Sequence, residues 1–535
     1  MAVMHELTSR DLTILLGLLT ATTALLALAP RTRIPYPILL VLGGLALGFA
    51  PGIPDFELAP QLVLVGVLPP LLYSSAFFTS LRDLRANARP IGLLAIGLVL
   101  ATMAAVAVVA HAAIGLGWAT AFVLGAVVAP TDPIAATAIS RRLGVPRRIV
   151  TIVEGESLIN DATALVALRV AVVAAVSGTF SLSGAGLRFV AVVGGGLAVG
   201  LAVGYIVRQV RRRIDDPPVE VTISLLTGYF AFIPADLLHV SGVVAVVTAG
   251  VYLGWHTPEL TTPDSRLLGD SMWEITTFVL NAFLFVMLGL QLPSILDALQ
   301  GEPSATLIWW AVIVSLTVIV ARIVGVFPAT YVPRLLFRRI RERDPYPPWQ
   351  YPAAISWMGM RGAVSLAAAL SIPAVTSSGA PFPDRDLVIY LAFSVIVATL
   401  VFQGLSLPAV IRLLGLEADG LDEKEEAKAR IKAAKAALAR LEELTGEDWV
   451  NDDTAERMRG AYGFRMRRFA ARFDQADDGE VELRSQSYQR LRLELLTAER
   501  QSLVDLRRQG TISDEVMRRV ERDLDLEISR LDVTP

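Results

Sequence analysis

Hydrophobic stretches long enough to cross a lipid bilayer recur along most of this 535-residue chain. A transmembrane helix needs about 20 consecutive, mostly apolar residues, and it satisfies its backbone hydrogen bonds internally. The mean hydropathy of +0.55 and the hydrophobic fraction of 54% exceed those of ordinary soluble domains. We therefore expect an all-α polytopic membrane protein with about 13 transmembrane helices. The stretches are 12–29, 36–50, 60–80, 89–114, 118–140, 149–176, 188–207, 219–238, 240–257, 270–296, 305–333, 349–373 and 387–414.

The distribution of charge divides the chain into two parts. Residues 1–416 contain no lysine, whereas residues 417–535 are densely charged with both signs. In that second part Ala, Glu, Arg and Leu recur at helical spacing, as in EEAKARIKAAKAALARLEEL, which is typical of amphipathic, solvated helices. We interpret residues 1–416 as a membrane domain and residues 417–535 as a helical tail. A tail that packs on itself or pairs between subunits is favoured over one that senses a ligand.

The composition excludes several kinds of chemistry. The chain has no cysteine, so disulfides, thiolate nucleophiles and cysteine-ligated metals are ruled out. Its histidines show no metal-ligand spacing. We expect no cofactor and no nucleic-acid partner, and we expect membrane lipid around the hydrophobic part. The four histidines are His5, His111, His239 and His256.

Arginine alternates between successive loops. Cytoplasmic loops are enriched in lysine and arginine, and here the odd-numbered loops carry nearly all the arginines. The sixth and twelfth loops hold only Arg188 and Arg385, and the other even loops hold none. This pattern predicts that the odd loops and the tail lie in the cytoplasm and the N-terminus outside. The odd-loop arginines are Arg31, Arg33, Arg82, Arg85, Arg89, Arg141, Arg142, Arg147, Arg148, Arg208, Arg211, Arg212, Arg213, Arg266, Arg334, Arg338, Arg339, Arg341 and Arg343.

The fifth stretch is interrupted near its middle by Thr131 and Asp132, which lie between Pro130 and Pro133. Proline lacks an amide hydrogen and disfavours helical backbone at the residue before it, so the helix is expected to unwind there. Unwound backbone at membrane depth is tolerated only where it lines a cavity or is buried in protein, and its carbonyls and half-helix ends then make ion ligands. A simple proline kink is the alternative, which the aspartate between the prolines disfavours.

The sixth stretch carries the polar run VEGESLIND, in a position where an unpaired buried charge is costly. At 1.5 Å per residue, Asp161 lies about 20 Å into the membrane. Ser157 and Asp161 are four residues apart and share a helix face, while Glu156 and Asn160 share an adjacent face. Glu154 lies nearer the cytoplasmic mouth. The run therefore presents carboxylates at several depths.

An arginine in the eleventh stretch offers one of these carboxylates a partner. Arg322 lies at a depth comparable with that of Glu156, and a buried arginine requires a negative charge beside it. We pair the two side chains on this basis. Asp161 then remains unpaired and free to exchange its ligand.

The twelfth stretch contains a second predicted break, with Gly359 and Gly362 flanking Met360 and Arg361. Interrupted helices at corresponding places in two halves of a membrane protein indicate inverted repeats, with a binding site where the two helices cross. Arg361 would counter the negative end of one half-helix, as Asp132 would counter the positive end of another.

A set of short motifs runs through the hydrophobic part in a fixed order. Together they resemble the monovalent cation/proton antiporter family, specifically the bacterial sodium/proton exchangers of the NhaP type. The resemblance covers about residues 10–415. The motifs are LPPLLY (68–73), APTDP (129–133), EGESLIND (154–161), SGVVAVVTAG (241–250), NAFLFVMLGLQL (281–292), AR (321–322) and MRGAVSLA (360–367).

The resemblance implies a site shared by a transported cation and a proton. Its ligands would be Asp161 and Ser157, together with Asp132 and the main-chain carbonyl of Thr131. Carboxylate, hydroxyl and carbonyl oxygens are ligands that hard cations prefer. In this family, Asn160 beside the site aspartate goes with electroneutral one-for-one exchange. Na⁺ is the expected cation, with Li⁺ and K⁺ as alternatives.

The family also implies a mechanism and a setting. Cation and proton compete for Asp161, and a core bundle holding spans five, six, eleven and twelve rocks against a scaffold to give alternating access. Glu156 and Arg322 match the family's glutamate–arginine pair. A homodimer in the bacterial inner (plasma) membrane is expected. One departure is that Ser74 to Ala76 stand where some relatives carry an acidic residue.

Two other functional classes are alternatives to cation/proton exchange. An intramembrane aspartyl protease would use Asp132 and Asp161 as a dyad sharing one proton, but the chain lacks a glycine-flanked loop for its second aspartate. A channel needs no proton-switchable carboxylate. Among the remaining polar residues, Asn281, Gln291 and Asp236 are interpreted as satisfied groups at helix contacts or at the outer surface, with a role as ligands as the less favoured alternative.

Overall fold

The three-dimensional structure, a computed structural model, describes residues 34–50, 59–177, 182–299, 301–377, 379–471, 480–529 and 531, together with single positions between 17 and 31. The first predicted span, 12–29, lies largely outside the described residues. The chain forms two compact units, Met1–Ala418 and Asp419–Pro535.

The first unit is built from helices, as the hydrophobic pattern predicts. Within the described ranges, seven helices are long and apolar enough to cross a membrane, and three shorter helices are also apolar. The helices are α1 (Tyr36–Gly48), α2 (Leu62–Phe78), α3 (Leu81–Ala86), α4 (Ala88–Ile114), α5 (Trp118–Val128), α6 (Ile134–Leu143), α7 (Arg147–Ser177), α8 (Leu182–Arg211), α9 (Pro217–Leu237), α10 (Gly242–Leu260), α11 (Pro263–Leu290), α12 (Leu292–Asp297), α13 (Ser304–Leu336), α14 (Arg338–Arg343), α15 (Gln350–Trp357), α16 (Ala363–Leu370) and α17 (Arg385–Leu413).

Two of the predicted spans are each divided into a pair of half-helices. The fifth span gives α5 and α6, separated by the segment that contains both prolines, and the twelfth gives α15 and α16. The two breaks meet, because the backbone N–H of Asp132 donates to the carbonyl of Met360 at 2.8 Å. Backbone groups freed by one interruption are thus satisfied by the other.

The helices of the first unit pack as two groups. Helices α1, α2, α8, α9, α10 and α11 contact mainly one another and are called bundle A. Helices α4, α5, α6, α7, α13, α15, α16 and α17 form bundle B, which contains both interrupted spans. Asp132 and Asp161 therefore belong to the same bundle.

Small residues allow the closest helix contact in bundle A. A Cβ added at Gly44 of α1 would collide with the carbonyl of Val286, and one added at Gly289 of α11 would collide with backbone of α1. Glycines at such crossings let two helix backbones approach within van der Waals distance, which is a common way to join helices in membranes. Helix α11 is consequently fixed along α1.

The second unit also consists of helices, α18 (Leu421–Leu444), α19 (Asp452–Ala471), α20 (Glu480–Arg508) and α21 (Asp514–Ser529). Arg459 pairs with Glu442 at 2.9 Å between α18 and α19, and Arg492 pairs with Glu527 at 2.8 Å between α20 and α21. These pairs are solvent-exposed, so each contributes little to stability. The guanidinium of Arg430 lies 4.9 Å from the ring centre of Phe469.

Candidate cation-binding site

A cavity of about 80 Å³ lies where the two helix breaks meet α7. Its polar lining includes five residues that the sequence analysis selected. A cavity of this size has room for a partly hydrated monovalent ion, since about 10–15 Å³ of such volume is enough to hold one water. The five residues are Thr131, Asp132, Glu154, Ser157 and Asp161.

Asp132 is positioned at the start of a half-helix. Its Oδ1 accepts a hydrogen bond of 2.9 Å from the backbone N–H of Ile134, the first residue of α6. The side chain therefore caps the positive end of that helix, as predicted. Gly362 lies so close that an added Cβ would collide with the Asp132 carboxylate. The second break therefore forms one wall around this carboxylate.

Asp161 and Ser157 face the same cavity from α7. Their exposed fractions are 7% and 6%, and both lie one turn apart on the cavity face of the helix. Among the described residues, no hydrogen bond or ion pair engages the Asp161 carboxylate. A buried carboxylate without a partner is costly, and here it faces a cavity that a cation or a proton can enter.

Glu156 and Arg322 form an ion pair behind the cavity. Arg322 Nη1 lies 2.5 Å from Glu156 Oε1, and Nη2 lies 2.9 Å from Oε2. Both side chains are only 2% exposed. The same guanidinium donates to the carbonyl of Ile355 at 3.1 and 3.3 Å, at the end of α15. The structure thus brings the predicted partners together and ties α7 and α13 to the second break.

Asn160 holds the unwound segment from the adjacent face of α7. Its Nδ2 donates to Thr131 Oγ1 at 2.8 Å and lies 3.5 Å from the Thr131 carbonyl. The Thr131 hydroxyl in turn donates to Glu156 Oε1 at 3.3 Å. Asn160 and Glu156 therefore support Thr131 rather than line the cavity themselves.

Arg361 lies between the ends of two half-helices. Its Nε donates to the carbonyl of Val128, the last residue of α5, at 3.0 Å. Its Nη1 donates to the carbonyl of Gly359, just beyond α15, and its backbone N–H donates to Thr399 Oγ1 at 3.2 Å. A positive charge at two helix C-termini offsets the partial charge of their free carbonyls. This is the position that the sequence analysis predicted.

Glu154 marks the mouth of the cavity. It pairs with Arg141 at 2.9 Å, and its side chain is 29% exposed. Arg141 belongs to the last turn of α6, so the cavity extends from Asp161 toward the C-terminal end of that half-helix.

Comparison with known proteins identifies the family. Residues 18–413 match the family model described as "Sodium/hydrogen exchanger, transmembrane". The chain belongs to this sodium/hydrogen exchanger family. Membership makes it a monovalent cation/proton antiporter and a multi-pass membrane protein. It is a transporter, so the aspartyl protease and channel interpretations are set aside.

Relatives of this exchanger match along nearly its whole length. An uncharacterized Na⁺/H⁺ exchanger of Mycobacterium tuberculosis is 39% identical over 524 residues, which cover 96% of this chain and 95% of the relative. A sodium, potassium, lithium and rubidium/H⁺ antiporter of Bacillus subtilis is 32% identical over 496 residues, which cover 90% of this chain and 72% of the relative.

A solved structure shares the fold of the exchanger. The sodium proton antiporter MjNhaP1 from Methanocaldococcus jannaschii superposes with a TM-score of 0.62 at 22% identity. The superposition covers 76% of this chain and 100% of that one. The likeness is one of multi-helical fold.

The exchanger's cavity contains polar residues that the sequence analysis missed. Ser75, Asn281 and Ser365 line it beside the aspartates. The interpretation of Asn281 as a satisfied residue at a helix contact is wrong, because its Oδ1 is buried without a hydrogen-bond partner. Asp236 does have a partner, Arg169 at 3.3 Å, and Gln291 is buried with an interaction of its own. The sequence offered one indication of this lining, the single asparagine at the start of the otherwise apolar NAFLFVMLGLQL motif.

Proposed function

We propose that the protein exchanges one monovalent cation for one proton by alternating access, with cation and proton competing for Asp161. The cation is Na⁺, with Li⁺ and K⁺ as alternatives, and exchange is electroneutral. The observation that carries this proposal is the unengaged Asp161 carboxylate in a cavity shared with Asp132 and Ser157.

The ligand set supports a hard cation. Two carboxylates, the Ser157 hydroxyl and the Thr131 main-chain carbonyl would supply oxygen ligands. The Bacillus subtilis relative is named as an antiporter of four cations, which supports keeping Li⁺ and K⁺ as alternatives. When Asp161 is protonated, the charge that holds the cation is lost, so one site serves both ions.

The charges around the cavity support electroneutral exchange. Glu156 is paired with Arg322 and Glu154 with Arg141, so among the described carboxylates of the site only Asp132 and Asp161 lack an arginine partner. Replacing one proton by one monovalent cation at Asp161 then leaves the net charge of the site unchanged. The two loaded forms carry the same charge across the membrane.

The two helix bundles support the proposed movement. The candidate ligands belong to bundle B, which corresponds to the core that would rock, and bundle A would serve as the scaffold. We further propose that α5 with α6 and α15 with α16 are the crossed helices of two inverted repeats within about 13 spans. Residues 1–416 would form the transport domain and 417–535 the cytoplasmic tail.

One ion cluster supports the proposed topology. The Asp344 carboxylate lies 2.6 Å from Arg89, 2.7 Å from Arg148 and 2.6 Å from Arg334. These residues come from the third, fifth and eleventh loops of the sequence analysis, so their convergence is consistent with one side of the membrane for all three. We assign that side to the cytoplasm and the N-terminus to the outside.

The exposed apolar surface of bundle A suits a lipid or subunit contact. Bundle A exposes large apolar side chains along α8, among them Leu197, Leu201 and Ile206, as a lipid-facing or subunit-facing surface requires. We propose a homodimer in the bacterial inner membrane, on the ground of the family resemblance.

The direct test is proton flux in proteoliposomes with a preset pH gradient. Na⁺, Li⁺ and K⁺ are added in turn, with the membrane potential either clamped or free. We expect at least one cation to dissipate the gradient at a rate independent of the potential. Asp161→Asn should be silent, while Asp236→Asn, whose carboxylate lies outside the cavity, should remain active. Flux that persists in Asp161→Asn would contradict the site, and flux that follows the potential would contradict electroneutral exchange.

A further inference from the structure

Asn281 is the polar residue of the cavity that the proposed function leaves without a role. It lies on α11, its exposed fraction is 7%, and it lines the cavity that contains Asp132 and Asp161. Its Oδ1 atom is sealed from solvent and accepts no hydrogen bond from the described residues. A buried amide oxygen without a hydrogen-bond donor is destabilising, so a group that supplies positive charge to this oxygen would be stabilising.

The position of Asn281 differs from that of every ligand proposed above. Helix α11 belongs to bundle A and packs along α1 and α9, whereas Asp132, Ser157 and Asp161 belong to bundle B. Asn281 therefore reaches the cavity from the opposite wall, across the boundary between the two bundles.

The wall that bundle A contributes carries oxygen atoms without charge. Ser75 of α2 also lines the cavity, and the segment Ser74 to Ala76 has no carboxylate. An amide carbonyl is a hard oxygen ligand of the kind that monovalent and divalent hard cations bind in proteins. A neutral ligand adds coordination without altering the one-for-one balance of charge at Asp161.

We propose that Asn281 supplies a neutral oxygen ligand to the transported cation from the wall of bundle A, and that it sets the order of affinity among Na⁺, Li⁺ and K⁺. This inference rests on the proposed function, because it assigns a further ligand to the same ion. Since Asn281 and Asp161 lie on different bundles, the coordination is complete only while the two bundles hold the cavity in the arrangement seen here.

The test compares Asn281→Leu, which replaces the amide with an apolar group of similar size, with Ser315→Ala as a matched control. Ser315 is also 7% exposed and has a buried hydroxyl without a partner, but it lies on α13 and does not line the cavity. Initial rates of proton flux in proteoliposomes give KM and maximal rate for each of the three cations. Melting temperatures of the purified proteins are measured with and without each cation.

We expect Asn281→Leu to raise KM about tenfold for the preferred cation, the scale of one lost contact to a charge, and to change the ratio of KM values among the cations. Maximal rate should stay near wild type, melting temperature without cation should be equal to or above that of wild type, and the cation-induced rise in melting temperature should shrink. Asn281→Gln, which keeps a neutral amide oxygen, should hold KM nearer to wild type than Asn281→Leu does. Ser315→Ala should leave all of these quantities unchanged.

Unchanged KM values and cation order in Asn281→Leu would overturn the inference while leaving the proposed function intact. If Asn281→Leu does not fold, Asn281→Ala takes its place, with the same expectations. If Asp161→Asn loses flux but every Asn281 variant keeps the wild-type order of cation affinity, the proposed function stands and the role of Asn281 as a ligand is refuted. A wild-type protein without cation-driven flux would overturn both.

Discussion

Asn160 Nδ2 donates a hydrogen bond to the hydroxyl of Thr131 at 2.8 Å, and that hydroxyl donates a hydrogen bond to Glu156 Oε1 at 3.3 Å. The Thr131 hydroxyl has one hydrogen to donate, so toward residue 160 it acts as an acceptor. A carboxylate at position 160 has no donor when ionised. Asn160 is therefore a required donor, and not merely an uncharged residue beside Asp161.

Asn160→Asp is expected to destabilise the protein and to weaken cation binding. The new carboxylate would place an acceptor against an acceptor, near the charge of Glu156, at a cost of about 1–3 kcal/mol. Melting of the purified variant and its KM for Na⁺ test this expectation. The control is Asn451→Asp, on the exposed surface of the second unit. Wild-type melting in Asn160→Asp would contradict the donor role.

Removal of one member of the Glu156–Arg322 pair should lower the yield of folded protein. Glu156→Ala leaves the Arg322 guanidinium buried with the Ile355 carbonyl as its one remaining partner among the described residues, and such single deletions cost on the order of 3–5 kcal/mol. Yield after purification and thermal melting provide the measurement. Glu342→Gln, which breaks an exposed pair with Arg338, is the matched control. Normal melting of Glu156→Ala would show that the pair is not a structural support.

Gly362→Ala should impair exchange by displacing the Asp132 carboxylate. The added Cβ would collide with that carboxylate, while the φ of −130° at Gly362 suits any residue, so the backbone itself is not strained. Misplacement of a binding group by about 1 Å costs roughly 10–100-fold in rate. Cation-driven proton flux is the measurement. Gly97→Ala serves as the control, since a Cβ there meets nothing within 4 Å, and equal flux in both variants would refute the steric argument.

The cluster around Asp344 predicts a specific dependence of stability on pH. Partial burial acts to raise the pKa of Asp344, but hydrogen bonds and positive charge from Arg148 and Arg334 outweigh it, and the net pKa is lowered. A lowered folded-state pKa means that the stabilising contribution is fully present above the unfolded pKa of about 3.9 and is lost as pH falls through the folded value.

Asp344→Asn should therefore melt at a lower temperature than wild type at neutral pH. The difference should stay constant down to about pH 5 and should narrow only below about pH 4. Melting curves of both proteins across this range provide the measurement. A difference that already disappears between neutral pH and about pH 5 would mean that another group, and not Asp344, dominates the cluster.

Local chemistry explains why much of the site was predictable from sequence. Pro130 and Pro133 impose a break wherever the segment lies, and the 3.6-residue period separates the Ser157 and Asp161 face from the Glu156 and Asn160 face. Depth counted at 1.5 Å per residue was enough to pair Glu156 with Arg322.

Other features depend on tertiary packing, which residue spacing does not record. The close crossing of α1 and α11 at Gly44 and Gly289 is one such feature, because the sequence does not show which helices will meet at their glycines. The convergence of three loops on Asp344 joins residues up to 255 positions apart. The alternation of arginine between loops predicted that these arginines share a side of the membrane. It did not indicate that Asp344 is their common partner.

The central claim is that cation and proton compete for Asp161, and the pH dependence of KM tests it most directly. Initial rates of proton flux are measured in proteoliposomes against Na⁺ concentration at a series of pH values, with Asp161→Asn alongside. Competition predicts that KM for Na⁺ rises steadily as pH falls while the maximal rate at saturating Na⁺ stays the same, and that the variant gives no flux at any pH. A KM that does not change with pH, or a maximal rate that falls with pH at constant KM, would contradict a single shared site.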